Sequence, residues 1–250
     1  MNSPGHREYI RRVPGAKTAV LCIHGIIGSP RHFTGLIPLI PGNVTVYNIL
    51  LPGHGGTAED FARSSMRDWE LYVAKLANRL CGEYENLIIA GHSMGTLFAV
   101  DAALANPERV KGLFLMNVPL TPRPKLDAVL NSVGVLWDVT SPNPVISASK
   151  ASYSIQPDKR LWKYLAWLPR YGELFKKAAQ TRQRLPLLRV PGVAFVSGRD
   201  ELVSPLTYPL LRRTGTVKTV WLPGSRHYYY TKEDRARIKA EFSAMLAPFC

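Results

Sequence analysis

The sequence predicts an α/β fold: a mostly parallel central sheet with helices on both faces. Short, continuously apolar segments, typical of strands that are covered on both faces, recur along the chain. Segments of helical period lie between them. Strands that alternate with helices pair in parallel through right-handed crossovers. At 250 residues, the chain is long enough to bury one large core of this kind.

Six segments are predicted to form the strands of this sheet. Each is too short for an amphipathic helix and too continuously apolar for a strand with one wet face. In chain order they are residues 17–25, 44–50, 86–92, 109–119, 190–198 and 217–223. The clearest helical patterns are at 66–84, 94–107 and 232–249. We expect one sheet, with these helices packed against it.

One region interrupts the alternation of strands and helices. Strand signals are absent from residues 119–187, and aromatic side chains mix with basic ones in 158–180. Residues 119–187 carry eleven Lys and Arg and four Asp and Glu, so they hold half of the chain's net charge of +14. We predict a helical cap at 119–187 and a core domain formed by residues 1–118 and 188–250.

The composition limits where in the cell the protein is expected and which classes of partner it could bind. No run of about 18 apolar residues could form a transmembrane helix, and the N-terminus lacks the apolar segment of a secretory signal. The three cysteines, Cys22, Cys81 and Cys250, are too few and too widely spaced for a disulfide framework. We therefore expect a cytoplasmic protein. The basic excess has no nucleic-acid-binding motif beside it, so no nucleic-acid partner is expected; an anionic substrate or membrane surface remains open.

A serine stands at the junction of a predicted strand and a predicted helix, in NLIIAGHSMGTLFAV at 86–100. Ser93 lies between Gly91 and Gly95, which permit a tight backbone. A sharp strand-to-helix turn exposes the hydroxyl and directs the next N–H, that of Met94, at an oxyanion. We predict Ser93 as a nucleophile and Met94 as an oxyanion donor.

A serine nucleophile needs a histidine base and an acid that orients the histidine. In strand–turn–helix sites the chain order is nucleophile, acid, histidine. Of six histidines, only His227 follows Ser93. Asp200 comes just after a predicted strand and is the preferred acid, with Glu201 as its competitor. Asn117 occupies the other position suited to an acid and cannot supply a carboxylate.

The second oxyanion donor should come from a loop after an earlier strand. In CIHGIIGSP at 22–30, we assign this role to the N–H of Ile26. His24 is interpreted as a residue that ties loops together, and His54, in LLPGHGG at 50–56, as a loop-shaping residue. No group of His, Cys and acidic residues has metal-ligand spacing, so we expect neither a metal nor another cofactor.

The motifs IHGIIGSP, LLPGHGG, GHSMG, GRDELV and SRH, in this order, resemble the α/β-hydrolase superfamily. Within it, the chain is similar to bacterial carboxylesterases and monoacylglycerol lipases, and the resemblance covers essentially its whole length. The resemblance implies a small cap between the sixth and seventh strands. It also implies the triad and both oxyanion donors assigned above. Ser93 argues against dehalogenases and epoxide hydrolases, which carry an aspartate at this position.

The resemblance implies hydrolysis of a small carboxylic ester, either a short- to medium-chain acyl ester or a monoacylglycerol. A thioesterase that acts on anionic carrier thioesters remains open, as does a ligand-binding protein without catalysis. The apolar residues of the cap either pack on the core or line an acyl pocket: Leu161, Trp162, Leu165, Trp167, Leu168, Leu174 and Phe175. The basic residues among them leave weak contact with an anionic lipid surface open.

Overall fold

A single seven-stranded sheet organises the computed structural model, which describes residues 6–125 and 142–249. The strands are Tyr9–Arg11 (β1), Thr18–Ile23 (β2), Thr45–Ile49 (β3), Asn86–His92 (β4), Val110–Met116 (β5), Gly192–Ser197 (β6) and Val217–Leu222 (β7). Their spatial order is β1-β3-β2-β4-β5-β6-β7, in which β1 is antiparallel to β3 and all other pairs are parallel. The predicted fold class and all six predicted strands are confirmed.

Helices cover both faces of this sheet. Those in the described residues are Ala58–Arg63 (α1), Met66–Glu83 (α2), Met94–Ala105 (α3), Pro144–Ser152 (α4), Leu168–Arg184 (α5), Thr207–Arg212 (α6) and Lys232–Leu246 (α7). Short 3₁₀ helices add Pro30–Phe33, Ile37–Leu39, Leu161–Trp167, Leu185–Leu187 and Ala247–Phe249. No helix within the described residues has the length and apolar character needed to cross a membrane.

The first strand and two short helices were not predicted. β1 is three residues long and largely exposed, so it carries no apolar run. Its antiparallel pairing extends the edge of the sheet beyond β3. α1 and α6 have only six residues each, too few to show a helical period. α1 nevertheless begins with a capping box, in which Thr57 and Asp60 bond each other's backbone N–H.

The insertion follows β5 and precedes β6. Its described part holds α4, the 3₁₀ helix Leu161–Trp167 and α5, whereas residues 126–141 of the predicted cap lie outside the described residues. Among the described strands, five precede the insertion. It therefore lies between the fifth and sixth of them, and not between the sixth and seventh, as the resemblance implied. The strand number implied by the resemblance assumed one more strand before the insertion.

α5 is fixed to the core by polar and apolar contacts. Lys177 is buried and forms ion pairs with Glu70 of α2, at 2.8 Å, and with Asp101 of α3. The indole N–H of Trp167, just before α5, donates to the carbonyl of Ala58 at 3.0 Å. Removal of one partner from a buried ion pair leaves an uncompensated charge, so these pairs hold α5 in one position on the core.

The apolar residues of the insertion divide into two groups. Trp167 and Leu174 are buried against the core, as one interpretation of the sequence expected. Trp162, Leu165 and Leu168 are 67%, 65% and 64% exposed, so that interpretation is wrong for them. With about three residues per turn, the 3₁₀ helix places Trp162 and Leu165 on one face, and Leu168, the first residue of α5, follows at the same spacing.

The topology brings the ends of β2 and β4 together. These strands are neighbours, with Ile23 opposite Gly91. The chain leaves β2 toward β3 on one side and leaves β4 toward β5 on the other. Loops that diverge in this way open a crevice at the carboxyl edge of a parallel sheet, where ligands bind in α/β proteins. Residues that follow β2 and β4 therefore face the same crevice.

The start of α3 lies against the end of β2 at very close range. A Cβ at Gly95 would lie 2.0 Å from the carbonyl oxygen of Ile23, and one at Gly91 would lie 2.8 Å from the Cα of Thr96. Both obstacles are backbone atoms, which cannot turn away. The two glycines beside Ser93 are therefore required by the packing of backbone on backbone.

We predict that Gly95→Ala destabilises the protein by about 1–3 kcal/mol or more, because its methyl group forces α3 away from β2. Urea denaturation measures the change. Gly172→Ala is the matched control: it lies in the exposed interior of α5 with no atom within 4 Å of its Cβ position. That variant should gain about 0.5–1 kcal/mol. Equal stabilities of the two variants would contradict the packing argument.

Candidate active site

Ser93 occupies the turn between β4 and α3 in a strained conformation, with φ 50° and ψ −125°. Its N–H donates to the carbonyl of Met116 at 2.8 Å, which ties the turn to β5. Among the described residues, three that are not glycine have positive φ: Ile27, Ser93 and Asn117. Each follows a strand at the same sheet edge. Such strain costs about 1–3 kcal/mol and persists only where the surroundings enforce it, often at functional sites.

The loops after β6 and β7 bring Asp200 and His227 together. The Nδ1 atom of His227 lies 2.9 Å and 3.1 Å from the two carboxylate oxygens of Asp200. An ionised carboxylate only accepts, so Nδ1 carries the proton and Nε2 keeps its lone pair. Nε2 is buried and makes no hydrogen bond within the described residues. Asp200 also accepts the N–H groups of Leu202 and Val203, at 2.8 and 2.9 Å, which fixes its orientation.

Glu201, the competing acid, has a different partner. Its carboxylate accepts the backbone N–H of His227 at 3.3 Å, and its side chain is buried. Burial raises the pKa of Glu201. Burial alone would lower the pKa of His227, but the charge and hydrogen bond of Asp200 and the charge of Glu201 outweigh it, and the pKa is raised. Asp200 therefore bonds the imidazole ring of His227, and Glu201 bonds its backbone N–H.

Asn117 bonds the backbone carbonyl of His227, whereas Glu201 bonds its N–H. Its side-chain N–H donates to the carbonyl of His227 at 2.9 Å and to the hydroxyl of Tyr230 at 3.2 Å. Its side-chain oxygen accepts the hydroxyl of Ser197 at 2.9 Å, and the whole residue is buried. Sequence reasoning excluded Asn117 as an acid and gave it no other role. Its place directly after β5, at the edge that carries the other polar residues, is the signal that could have identified it.

Two further histidines stack behind His227. His92 lies 3.0 Å, through Nε2, from the carbonyl oxygen of His227 and is a second donor to it. His32 stacks on His92 with ring centroids 3.6 Å apart. Burial lowers the pKa of both, that of His32 to about 3, so both rings are neutral near neutral pH. Neutral rings can stack this closely without charge repulsion.

The loop after β2 packs against the serine. A Cβ at Gly25 would lie only 2.9 Å from the Cβ of Ser93, so the backbone there passes directly beside the serine. Ile26 is the next residue and is buried. Met94 is the first residue of α3, where an N–H group has no partner within the helix. The structure thus brings both expected donor positions close to Ser93.

His24 and His54 shape the neighbouring loops, as the sequence suggested. The Nδ1 atom of His24 bonds the carbonyl of Gly25 at 2.8 Å, and its Nε2 accepts the N–H of Leu51 at 3.0 Å. Burial lowers the pKa of His24 to about 4, so its Nε2 can accept at neutral pH. His54 packs its ring 5.2 Å from that of Trp69. The predicted loop-tying role of His24 is confirmed.

Known proteins resemble the chain over most of its length. The alpha/beta hydrolase family model matches residues 20–241. A thermostable monoacylglycerol lipase from Bacillus sp. (strain H-257) is 26% identical over 199 residues, which are 74% of this chain and 72% of that protein. No group of three or more His, Cys, Asp and Glu within the described residues is placed to hold a metal ion.

Two solved structures share the fold. A lipolytic enzyme from the metagenome-derived pair LipS and LipT superposes with a TM-score of 0.72 at 21% identity, and the match covers 98% of each chain. A thioesterase domain from the curacin biosynthetic pathway superposes with a TM-score of 0.59 at 19% identity, over 96% of this chain and 99% of that domain. At these identities, the likeness establishes the fold alone, and the activity has to be inferred from the residues of the site.

We predict that Asn117→Ala releases the His227 loop. The change leaves a buried carbonyl and a buried hydroxyl with one partner fewer, which should cost about 1–3 kcal/mol of stability. The proton on Nδ1 of His227 should lose its low-field NMR signal as its bond to Asp200 loosens. Asn78→Ala is the control: this residue is exposed on α2, where it accepts one surface hydrogen bond from Asn106, and the variant should keep both the stability and the NMR signal. An unchanged low-field signal in Asn117→Ala would contradict the positioning role.

Proposed function

The chain belongs to the α/β-hydrolase family, and we propose that it hydrolyses carboxylic esters through an acyl-enzyme on Ser93. The Asp200–His227 hydrogen bond carries this proposal. It leaves Nε2 of His227 unprotonated at the sheet edge where Ser93 is held in its strained turn. A base in this protonation state is what a serine nucleophile needs.

Each step of the proposed reaction has a group to perform it. His227 takes the proton of Ser93 as the serine oxygen attacks the ester carbonyl, and the N–H groups of Ile26 and Met94 stabilise the oxyanion. His227 then gives its proton to the departing alcohol. It next removes a proton from water, which attacks the acyl-enzyme, and returns that proton to the Ser93 oxygen as the acid is released. Asp200 stabilises the histidine while it is charged.

The proposed substrates are short- to medium-chain acyl esters or monoacylglycerols. The similarity to a monoacylglycerol lipase and to a lipolytic enzyme supports this class. A thioesterase acting on anionic carrier thioesters is the second candidate. The likeness to a thioesterase domain and the net charge of +14 favour it.

We propose that residues 119–187 form a cap over this site. The N–H of Ser154, just after α4, donates to the carbonyl of Ile27 at 2.9 Å, next to the proposed oxyanion donor. The ring of Tyr153 packs 5.4 Å from that of Tyr228, next to His227. The insertion thus contacts both loops that would surround the substrate, and a shift of α4 would move them.

The exposed cap residues support the proposed weak contact with anionic lipid. Trp162, Leu165 and Leu168 form an apolar stripe that faces solvent. Lys159 and Lys176 precede and follow the stripe in the sequence; both are exposed, and neither forms an ion pair within the described residues. Apolar side chains flanked by unpaired cations suit the boundary between lipid headgroups and acyl chains.

Kinetics on an ester and thioester panel tests the proposed reaction. We expect Ser93→Ala to lose about 10⁴-fold or more in kcat on p-nitrophenyl butyrate without unfolding. Ser243→Ala, at an exposed position of α7, should retain full activity. Across p-nitrophenyl butyrate, monooctanoylglycerol and octanoyl-CoA, kcat/KM should be highest for an oxygen ester. The highest value on octanoyl-CoA would favour the thioesterase, and folded wild-type protein inactive on all three would contradict catalysis.

The two acids should differ in their effect. We expect Asp200→Asn to lose about 10⁴-fold in kcat, because only Asp200 bonds the ring. Glu201→Gln should lose far less. His227 must be neutral to act, and its pKa is raised above 6.5, so kcat/KM should fall as the pH drops through a midpoint above 6.5.

Glu201→Gln provides a second check on this pH profile. It removes a charge that raises the pKa of His227, so the acid midpoint should move to lower pH. The control is Glu233→Gln, on the exposed first turn of α7, which should leave the midpoint unchanged. A larger kcat loss in Glu201→Gln than in Asp200→Asn would assign the acid to Glu201.

The stripe should contribute to lipid contact and little to stability. We expect the double variant Trp162→Ser/Leu165→Ser to change the unfolding free energy by only about 0.5 kcal/mol, as for other surface positions. Its sedimentation with anionic phosphatidylglycerol vesicles should fall several-fold. The control Leu187→Ser/Leu206→Ser removes two equally exposed leucines elsewhere. Wild-type binding that is absent, or equally reduced by both pairs, would contradict the contact.

A further inference from the structure

We propose that a second cavity, separate from the serine, binds an anionic amphiphile: an alkyl chain with a carboxylate or phosphate head. The cavity lies between the segment 31–36, helix α4 and helix α7, and the loop after His227 closes one side. Its volume is about 360 Å³, within the range of small-molecule sites. Neither Ser93 nor Asp200 nor His227 lines it.

The charges around this cavity are all of one sign. Arg31, Arg235 and Lys239 line it, and no Asp or Glu does. Arg235 donates to the carbonyl of Tyr230 at 3.0 Å, whereas Arg31 and Lys239 form no ion pair in the described part of the chain. Three cations beside one cavity repel each other, and an anion among them relieves that repulsion. Arginine in particular matches the geometry of carboxylates and phosphates.

Part of the cavity lining is apolar: Leu36, Met116, Ala148 and Ile238 belong to it. Leu36, Met116 and Ile238 are almost fully buried by their own packing, so partly exposed residues such as Ala148 and Tyr230 supply the apolar surface that a ligand can still cover. A free inorganic anion would use the basic rim and leave this surface against water. An alkyl chain would remove it from water. The lining therefore selects a ligand with a charged end and an apolar tail.

His32 joins this cavity to the catalytic histidine. It is one of the residues that line the cavity. His32 stacks on His92, which bonds the carbonyl of His227. A ligand packed against the His32 ring is thus connected, through His92, to the backbone of the proposed base.

The fatty acid that ester hydrolysis would release belongs to the same chemical class. An effect of this acid on turnover rests on the proposed function; the binding itself does not. Product bound in the second cavity would contact His32 rather than the acyl-enzyme. The cavity is therefore a candidate for feedback by the product.

Isothermal titration tests the site without any turnover. The probes are dodecanoate, dodecyl phosphate and uncharged dodecanol, each kept below the concentration at which it forms micelles. We expect a dodecanoate site on the wild-type protein and at least tenfold weaker binding of dodecanol. Which of the two anions binds more tightly identifies the head group. The variant Arg31→Gln/Lys239→Gln should weaken dodecanoate binding at least tenfold.

Two further variants test whether dodecanoate binds in this cavity and not elsewhere on the protein. Lys75→Gln/Arg182→Gln removes the same charge from exposed positions elsewhere and should bind dodecanoate like the wild type. Ala151→Trp places an indole at the cavity lining and should weaken dodecanoate and dodecanol alike. The proposal is overturned by no dodecanoate binding, by binding that survives Arg31→Gln/Lys239→Gln, or by equal losses in both charge variants. Because binding is measured directly, an inactive protein would still give a clear answer.

Discussion

The close contact between the start of α3 and the end of β2 is the constraint on which the rest of the site depends. Gly95 leaves no room for a side chain beside the carbonyl of Ile23. With α3 held there, the chain must leave β4 in a single sharp turn, which gives Ser93 its positive φ. Gly25 packs against Ser93, and the next residue is Ile26, the proposed second oxyanion donor. The cost of the strained turn is met by packing of backbone on backbone.

The histidine loop is fixed in a different way, by polar contacts to its backbone. Glu201 holds the N–H of His227, and Asn117 and His92 hold its carbonyl. The ring is then free to bond Asp200 alone. Bonds to the peptide fix where the ring lies, and the bond to Asp200 fixes which nitrogen carries the proton. Buried networks of this kind position a group well only when every member is satisfied.

Much of this arrangement could be read from the sequence, because its signals are local. Apolar runs marked the strands, and the glycines around Ser93 marked the turn. The place of His227 as the last histidine singled it out. The role of Asn117 depends on loops more than 100 residues away, and no local pattern reveals such a contact. The division of the cap residues was also not predicted. Trp167 is buried against Ala58 and Phe61, whereas Trp162 is exposed, and these contacts join residues about 100 positions apart, which no local pattern reveals.

Reaction of the wild-type protein with a fluorophosphonate, followed by digestion and mass spectrometry, shows whether Ser93 is an activated nucleophile. A serine activated by its own histidine forms a stable adduct, whereas ordinary serines do not. We expect one adduct per chain, on the peptide that contains Ser93, with loss of ester hydrolysis in proportion to labelling. An adduct on any other serine, or full hydrolysis by a protein that takes up no label, would contradict it.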